Sequence, residues 1–215
     1  MATTSLRQRS LTGYGGPASL ANRTVLFLDI DDVICKNSPY GGYDVAMAFS
    51  GVSSSGVASL KRHAELWQTL FDADACSYLR ALYNEFCPVY VLSTSWWWLL
   101  DDDALREVLI RTGLGFVVDN LHSDMATPKG SRPNLRWTEI KAWLDAHAEF
   151  AGNWVVLDDH LSGTGLFAGQ PEERRPYIVL CSEGVGLTER EYLQLRAAFQ
   201  LRSVKHARST HDDTK

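Results

Sequence analysis

Short apolar runs alternate along the chain with segments whose apolar residues recur every three or four positions. The runs contain three to five residues and are rich in branched and aromatic side chains, which is typical of strands buried on both faces. They begin at Thr24, Val89, Phe116, Trp154 and Tyr177. Runs of this kind between amphipathic helices predict a three-layer, Rossmann-like α/β fold with a mainly parallel sheet and helices on both faces.

The helical pattern is clearest in residues 73–86, where Leu79, Leu82, Tyr83 and Phe86 lie on one face. Further helices are predicted at about 103–112, about 135–147 and 188 to about 201. The last of these opens with a capping box, Thr188-x-x-Glu191.

The domain predicted from these elements spans residues 23–202, between a flexible leader (1–22) and a flexible tail (203–215). A small insertion, residues 35–70, follows the first strand. It is rich in glycine and serine and reads as a loop up to residue 60, with a weak helical pattern at 59–70. Long connections of this kind are often lids or binding loops. A minimal cap or flap and a disordered insertion are both compatible with the sequence.

Composition narrows the function classes. The chain has 215 residues and a net charge of −5, so it lacks the basic footprint of a general nucleic-acid binder. A nucleic-acid end as substrate is still compatible with this charge. The four cysteines have no metal-site spacing. No signal peptide is evident, and no window approaches the ~20 apolar residues of a membrane span. These features predict a cytoplasmic protein with free thiols; they leave its oligomeric state open.

Polar clusters follow three of the predicted strands. They are Asp29 with Asp31, the hydroxyl run 93–95, and Asp158 with Asp159. In parallel α/β sheets, ligands bind outside the carboxyl ends of the strands. The clusters are therefore expected to meet in one crevice.

Asp29 and Asp31 begin on the same side of the first strand, because side chains alternate along a strand. Two carboxylates that converge where a buried strand emerges repel each other, and a cation or a shared proton relieves the repulsion. Hard cations such as Mg²⁺ take oxygen ligands. An isolated Asp-x-Asp, however, is more often a solvated turn, so the hypothesis depends on the other clusters.

Hydrolysis of a phosphate ester through a carboxylate nucleophile needs the residue types that these clusters supply. In this interpretation Asp29 attacks phosphorus and Asp31 is the general acid and base. The metal ligands are Asp29, the backbone carbonyl of Asp31 and Asp158, with Asp159 acting through water. Either Ser93 or Thr94 would bind the phosphoryl group.

The motifs 29–33 (Asp-Ile-Asp-Asp-Val), 91–94 (Val-Leu-Ser-Thr) and 156–159 (Val-Leu-Asp-Asp) resemble those of the haloacid dehalogenase (HAD) phosphatases. More narrowly, the chain is similar to the small, capless or minimally capped branch found in bacterial RNA repair (Swiss Army Knife) proteins. That similarity lies in Ser93-Thr-Ser-Trp96, in Arg136-Trp-Thr-Glu-Ile-Lys-Ala-Trp-Leu144 and in Gly186-Leu-Thr188. The chain departs from the branch at Trp97, where Arg is frequent, and at Trp137, where Gly is frequent.

The resemblance covers about residues 24–200 and implies a Mg²⁺-dependent phosphohydrolase with an aspartyl-phosphate intermediate. Its substrate would be a phosphate monoester, with a nucleotide or a nucleic-acid end among the candidates. A non-catalytic HAD-like binding protein and a phosphotransferase are the alternatives. A metal-free nucleotide binder ranks last, because no Gly-x-Gly-x-x-Gly follows the first strand.

The basic phosphate ligand is the least determined residue. Arg136 is favoured because it opens a helix, whose N-terminus also attracts phosphate. Lys129, on the preceding loop, is the second choice, and Lys141 is the third because it can simply face solvent. In the run Trp96-Trp-Trp98, one or two side chains are expected to be buried and at most one to line the site.

Overall fold

The computed structural model describes residues 23–50, 64–128, 136–167 and 170–212. The predicted leader, Lys129 and the middle of the insertion (51–63) lie outside these ranges. The division of the chain into leader, domain and tail therefore stays a prediction.

A five-stranded sheet forms the centre of the structure, with the order β3-β2-β1-β4-β5 and every neighbouring pair parallel. Its strands are β1 (Val25–Leu28), β2 (Val89–Leu92), β3 (Leu121–Ala126), β4 (Trp154–Asp159) and β5 (Ile178–Cys181). All residues of β1, β2 and β4 are buried, as predicted from the apolar runs that form β1, β2 and the first four residues of β4. The predicted Rossmann-like α/β class is confirmed.

The register of the sheet aligns the strand ends. Leu28 pairs with Leu92 on one side and with Leu157 on the other. The residues that follow these three positions are Asp29, Ser93 and Asp158. Consequently, the polar residues that end three central strands lie at one level of the sheet.

The bounds of the helices agree with the predicted pattern in most places. The helices are α1 (Gly42–Phe49), α2 (64–69), α3 (Ala73–Phe86), α4 (Asp102–Arg111), α5 (Gly115–Val118), α6 (Arg136–Ala146), α7 (Thr164–Phe167) and α8 (Glu189–Asp212). Asp72 and Asp101 cap α3 and α4 by accepting hydrogen bonds from Ala75 and Ala104. None of the described helices is both long and apolar enough to cross a membrane.

Helices lie against both faces of the sheet. The ring of Phe27 packs against that of Trp143 in α6, with 5.4 Å between the ring centroids. The ring of Tyr90, which points the other way in the neighbouring strand, contacts Phe116 of α5 at 6.3 Å, and Phe116 in turn contacts Tyr83 of α3. The sheet therefore forms the middle of three layers.

The predicted third strand at 116–118 is wrong. These residues form the short helix α5, and the strand lies further on, at Leu121–Ala126, where no strand is predicted from the sequence. An apolar run of three residues fits one buried helical turn as well as a strand. The true strand escaped notice because it is at the edge of the sheet, where Ser123 and Asp124 are exposed and no apolar run forms.

Two other segments are more helical than predicted. The first part of the insertion, predicted as a loop, contains α1. The last helix continues to Asp212 instead of ending near Leu201, so residues 203–212 of the predicted loose tail are helical. At its start, the Glu191 carboxylate accepts from the Thr188 N–H, which is one half of the predicted capping box.

Candidate active site

The centre of the site is built by the backbone of the sheet. The N–H of Asp29 donates to the carbonyl of Leu157 (3.0 Å), and the N–H of Ser93 donates to the carbonyl of Leu28 (2.8 Å). These bonds extend the sheet past the ends of β1 and β2. As a result, carboxylate oxygens of Asp29, Asp158 and Asp159 lie within 4.8 Å of one another, in the crevice that the topology predicts.

These acids are almost completely removed from water. Asp29 is 1% exposed, Asp158 is 0% and Asp159 is 1%. Burial, followed by repulsion from Asp158, raises the pKa of Asp29 well above its usual range. Burial likewise raises the pKa of Asp158 to about 7, although the Arg136 guanidinium opposes the shift. The cluster is therefore costly to keep ionised without a cation.

Arg136 supplies part of the missing positive charge. It is the first residue of α6 and only 8% exposed. Its Nε lies 2.9 Å from Asp158 Oδ2, and another guanidinium nitrogen lies 3.6 Å from Asp29 Oδ2. A third contact, at 3.4 Å, reaches Glu139 on the same helix. One guanidinium thus faces several carboxylates, and the site retains an excess of negative charge.

The donor set fits a hard divalent cation. Both carboxylate oxygens of Asp29 and Oδ2 of Asp159 are buried without a hydrogen-bond partner. Asp158 Oδ2 has an ion pair with Arg136 but no aligned hydrogen bond. Buried acceptors are rarely left in this state. A cation with oxygen ligands, of which Mg²⁺ is an example, would satisfy them.

The turn after β4 orients the Asp159 carboxylate for binding a cation. Its Oδ1 accepts from the backbone N–H groups of Leu161 (2.6 Å) and Ser162 (2.8 Å). These bonds fix the carboxylate and leave Oδ2 directed elsewhere. Asp158 Oδ1 accepts from the N–H of Asp159 (2.9 Å), which fixes the other member of the pair.

Asp31 is held apart from the buried cluster, against the turn that follows β2. The backbone reverses after it: Asp32 has a φ of 53°, and the carbonyl of Ile30 accepts from the N–H groups of Ile34 (3.1 Å) and Cys35 (2.9 Å). Asp31 Oδ1 accepts from Trp96 Nε1 (2.8 Å), and Oδ2 accepts from Ser95 Oγ (2.9 Å). Its carboxylate is half-buried and pre-oriented.

The hydroxyls of Ser93 and Thr94 lie in different environments. Ser93 Oγ is fully buried without a hydrogen-bond partner. Thr94 caps the 3-10 turn Ser95–Trp98, because its Oγ1 accepts from the N–H of Trp96 at 3.4 Å. Ser93 is consequently the better placed of the two to donate to a ligand.

The other residues singled out in the sequence differ in how exposed they are. Lys141 is exposed and pairs with Asp145. Trp96 and Trp97 are buried, whereas Trp98 is 69% exposed. The partnership of Ser95 and Trp96 with Asp31 was not predicted. The Ser-x-x-Trp motif was the available signal, but sequence alone does not show which carboxylate an indole reaches.

A parallel α/β sheet with an Asp-x-Asp turn after its central strand, a buried hydroxyl after one neighbour and paired acids after the other defines a HAD-type domain. Comparison with known families identifies it further. The family model for the HAD domain in Swiss Army Knife RNA repair proteins matches residues 25–192, and the chain belongs to that family. No curated protein and no solved structure matches the chain.

Proposed function

We propose that this protein is a Mg²⁺-dependent phosphohydrolase that cleaves phosphate monoesters through an aspartyl-phosphate at Asp29. The observation that carries the proposal is the state of Asp29: it is buried, both of its oxygens lack a hydrogen-bond partner, and it lies beside Asp158, Asp159 and Arg136. A carboxylate in this setting is poised for a cation and an electrophile rather than for structural pairing.

The residues divide the chemistry between them. Asp29 attacks phosphorus, and Asp31 protonates the leaving oxygen and then takes a proton from the water that hydrolyses the intermediate. Mg²⁺, held by Asp29, Asp158, the backbone carbonyl of Asp31 and, through water, Asp159, would offset the repulsion between nucleophile and substrate. Ser93 and Arg136 would donate to the phosphoryl oxygens. Thr94 is the alternative hydroxyl, and Lys129 is the alternative cation.

The substrate proposed is a phosphorylated nucleotide or the phosphorylated end of a nucleic acid. The family description, which places such domains in RNA repair proteins, supports a nucleic-acid end. The net charge of −5 argues against extensive contacts with the phosphate backbone. Recognition would therefore be confined to the terminal phosphate and its nearest nucleotides.

The mechanism is tested with p-nitrophenyl phosphate in the presence of Mg²⁺. Asp29→Asn should lower turnover by a factor on the order of 10³ or more, because the nucleophile is lost. EDTA should abolish activity and added Mg²⁺ should restore it. Asp145→Asn, the same substitution at an exposed position of α6, is the matched control and should retain full activity. Full activity in Asp29→Asn would refute the mechanism.

The substrate is tested separately, by comparing oligonucleotides that carry a 5′- or a 3′-phosphate with nucleoside monophosphates and sugar phosphates. A preference for oligonucleotide ends, measured as kcat/KM, supports the proposal, and a preference for sugar phosphates contradicts it. Transfer to an added acceptor alcohol in place of water would identify a phosphotransferase. Mg²⁺ binding without turnover of any ester would identify a binding protein.

A further inference from the structure

The two oxygens of the Asp31 carboxylate are held by donors of different kinds. Oδ1 accepts from the indole N–H of Trp96 at 2.8 Å, and Oδ2 accepts from the hydroxyl of Ser95 at 2.9 Å. Both donors belong to the 3-10 turn Ser95–Trp98, directly after the hydroxyl run that ends β2. This arrangement bears on the proton transfer in the proposed reaction, so the inference rests on the proposed function.

The chemistry of the donors makes the two oxygens unequal. An indole N–H can donate but never accept, so it stabilises Oδ1 as an unprotonated acceptor, and a proton on Oδ1 would weaken the hydrogen bond from Trp96. A hydroxyl donates to a carboxylate and can equally accept from a carboxylic acid by rotating its hydrogen. Oδ2, opposite Ser95, is therefore the oxygen whose partner suits both protonation states of Asp31.

Trp96 is held too firmly to release Oδ1. It is 0% exposed, its backbone N–H donates to Thr94 Oγ1, and the centroid of its ring lies 6.1 Å from that of Phe71. Helix α1 closes over it: a Cβ added at Gly42 would lie 2.9 Å from the indole nitrogen. The close approach of α1 thus depends on glycine and leaves Trp96 no room to move aside.

We infer that Trp96 is a positioning residue that assigns the two oxygens of Asp31, fixing Oδ1 as a permanent acceptor and Oδ2 as the atom that carries the catalytic proton. In the first half-reaction an Asp29 oxygen bonds to phosphorus, the ester P–O bond breaks, and the Oδ2 proton passes to the leaving oxygen. In the second, water oxygen bonds to phosphorus, the Asp29–phosphorus bond breaks, and one water proton returns to Oδ2. Ser95 donates to Oδ2 while that oxygen is unprotonated.

The experiment compares two esters that differ in their need for a general acid. An alkyl phosphate needs protonation of its leaving oxygen, whereas p-nitrophenyl phosphate releases a stable anion. Trp96→Phe keeps an aromatic ring at this position and removes the N–H. It should lower kcat/KM for the alkyl ester about 10-fold and for p-nitrophenyl phosphate less than about 2-fold. Trp98→Phe, at the exposed end of the same turn, should change neither value.

A merely structural role for Trp96 predicts different results. Loss of packing would slow both esters equally, and this outcome would overturn the inference. Asp31→Asn gives the second readout: once the general acid is absent, Trp96→Phe should cause no further loss on the alkyl ester. An additional loss in that background would also overturn it.

The hydrogen bond itself is measured without catalysis. The indole N–H resonance of Trp96, assigned through its loss in Trp96→Phe, should shift upfield in Asp31→Ala, because the acceptor has been removed. A resonance that does not move would refute the contact on which the inference depends. A wild-type protein that hydrolyses neither ester but shows the shift would count against the proposed function and would leave Trp96 as the residue that orients Asp31.

Discussion

Two groups of possible metal ligands occur among the described residues, and their comparison shows what a site needs beyond proximity. One is the acidic cluster Asp29, Asp158 and Asp159; the other is His122, Asp124 and His147, between the edge strand β3 and the end of α6. In each group the ligand atoms lie within 4.8 Å of one another. The acidic cluster is buried, whereas Asp124 is exposed and the two histidines are half-buried.

Each residue of the histidine group has a hydrogen-bonding partner within the group or directly beside it. His147 Nδ1 lies 2.8 Å from the carbonyl of Trp143, and its Nε2 lies 2.9 Å from Asp124 Oδ2. Each ring nitrogen of His147 therefore already has a polar neighbour within hydrogen-bond distance. His122 Nδ1 accepts from the N–H of Asp124 at 3.0 Å. The atoms of these contacts already have polar partners, so none of them requires a metal ion as a partner.

The acidic cluster is in the opposite condition. Both oxygens of Asp29 and the Oδ2 atoms of Asp158 and Asp159 lack a hydrogen-bond donor, burial has raised the pKa values of Asp29 and Asp158, and Arg136 compensates only part of the charge. While the three carboxylates are ionised they cannot satisfy one another, because each offers acceptors only, so the cluster needs either a shared proton or a cation. Burial and unmet bonding capacity, more than distance, distinguish a cation site from a polar surface cluster.

The largest expected difference between the two groups is in activity. Asp158→Asn should reduce Mg²⁺-dependent hydrolysis of p-nitrophenyl phosphate about 100-fold or more, because it removes a charged ligand from the buried cluster. Asp124→Asn, the same change in the histidine group, should stay within about 2-fold of wild type. The paired variants are compared by kcat and by the Mg²⁺ concentration that gives half-maximal rate. Equal losses in the two would contradict the assignment of the metal site.

A smaller loss of activity is expected from a change at Arg136, which contacts two carboxylates of the acidic cluster. Arg136→Lys retains the charge but loses the planar fork that faces Asp158 and Asp29. It should lower kcat/KM about 10-fold. Lys141→Gln is the control for the alternative basic residue and should have no effect, because Lys141 is exposed and pairs with Asp145. A larger loss in Lys141→Gln than in Arg136→Lys would reverse the assignment.

The sequence predicts the acidic cluster better than its surroundings, for a physical reason. Strand order and alternation are encoded in local apolar runs, and the convergence of Asp29 with Asp158 follows from parallel topology. The partners of Asp31 depend on how one large indole packs under α1, and a glycine at position 42 permits that packing. Such contacts depend on tertiary geometry, which local patterns do not contain. Edge strand β3 was missed because Met125 is its only buried residue, so no apolar run forms.

Thermal stability should reveal the energetic cost of keeping the buried acidic cluster ionised. The carboxyl groups of Asp29 and Asp158 have raised pKa values, so the folded protein binds more protons than the unfolded chain between the usual carboxyl pKa of 3.8 and about 7. Stability in EDTA should therefore fall as pH rises through this window. A tenfold change in proton affinity is worth about 1.4 kcal/mol, and 1 kcal/mol moves Tm by about 2–4 °C in a domain of this size.

The matched measurement is the slope of Tm against pH in EDTA for wild type and for Asp29→Asn. The slope should be shallower in the variant, because one of the coupled carboxyl groups has been removed. Added Mg²⁺ should raise the wild-type Tm more at pH 8 than at pH 5, since it competes with protons for the same oxygens. Identical slopes in the two proteins would show that Asp29 is not strained by burial.

The smallest effect is expected from the histidine group. His147→Gln removes the ring that stacks on Trp143 at 3.9 Å and pairs with an Asp124 side chain that is 70% exposed. A pair with one partner in water contributes little, so the free energy of unfolding should fall by no more than about 1 kcal/mol, and phosphatase activity should not change. Chemical denaturation with Zn²⁺ added or withheld is the decisive measurement. If Zn²⁺ stabilises wild type but not His147→Gln, these histidines do hold a metal, and the distinction drawn from burial and unmet acceptors fails.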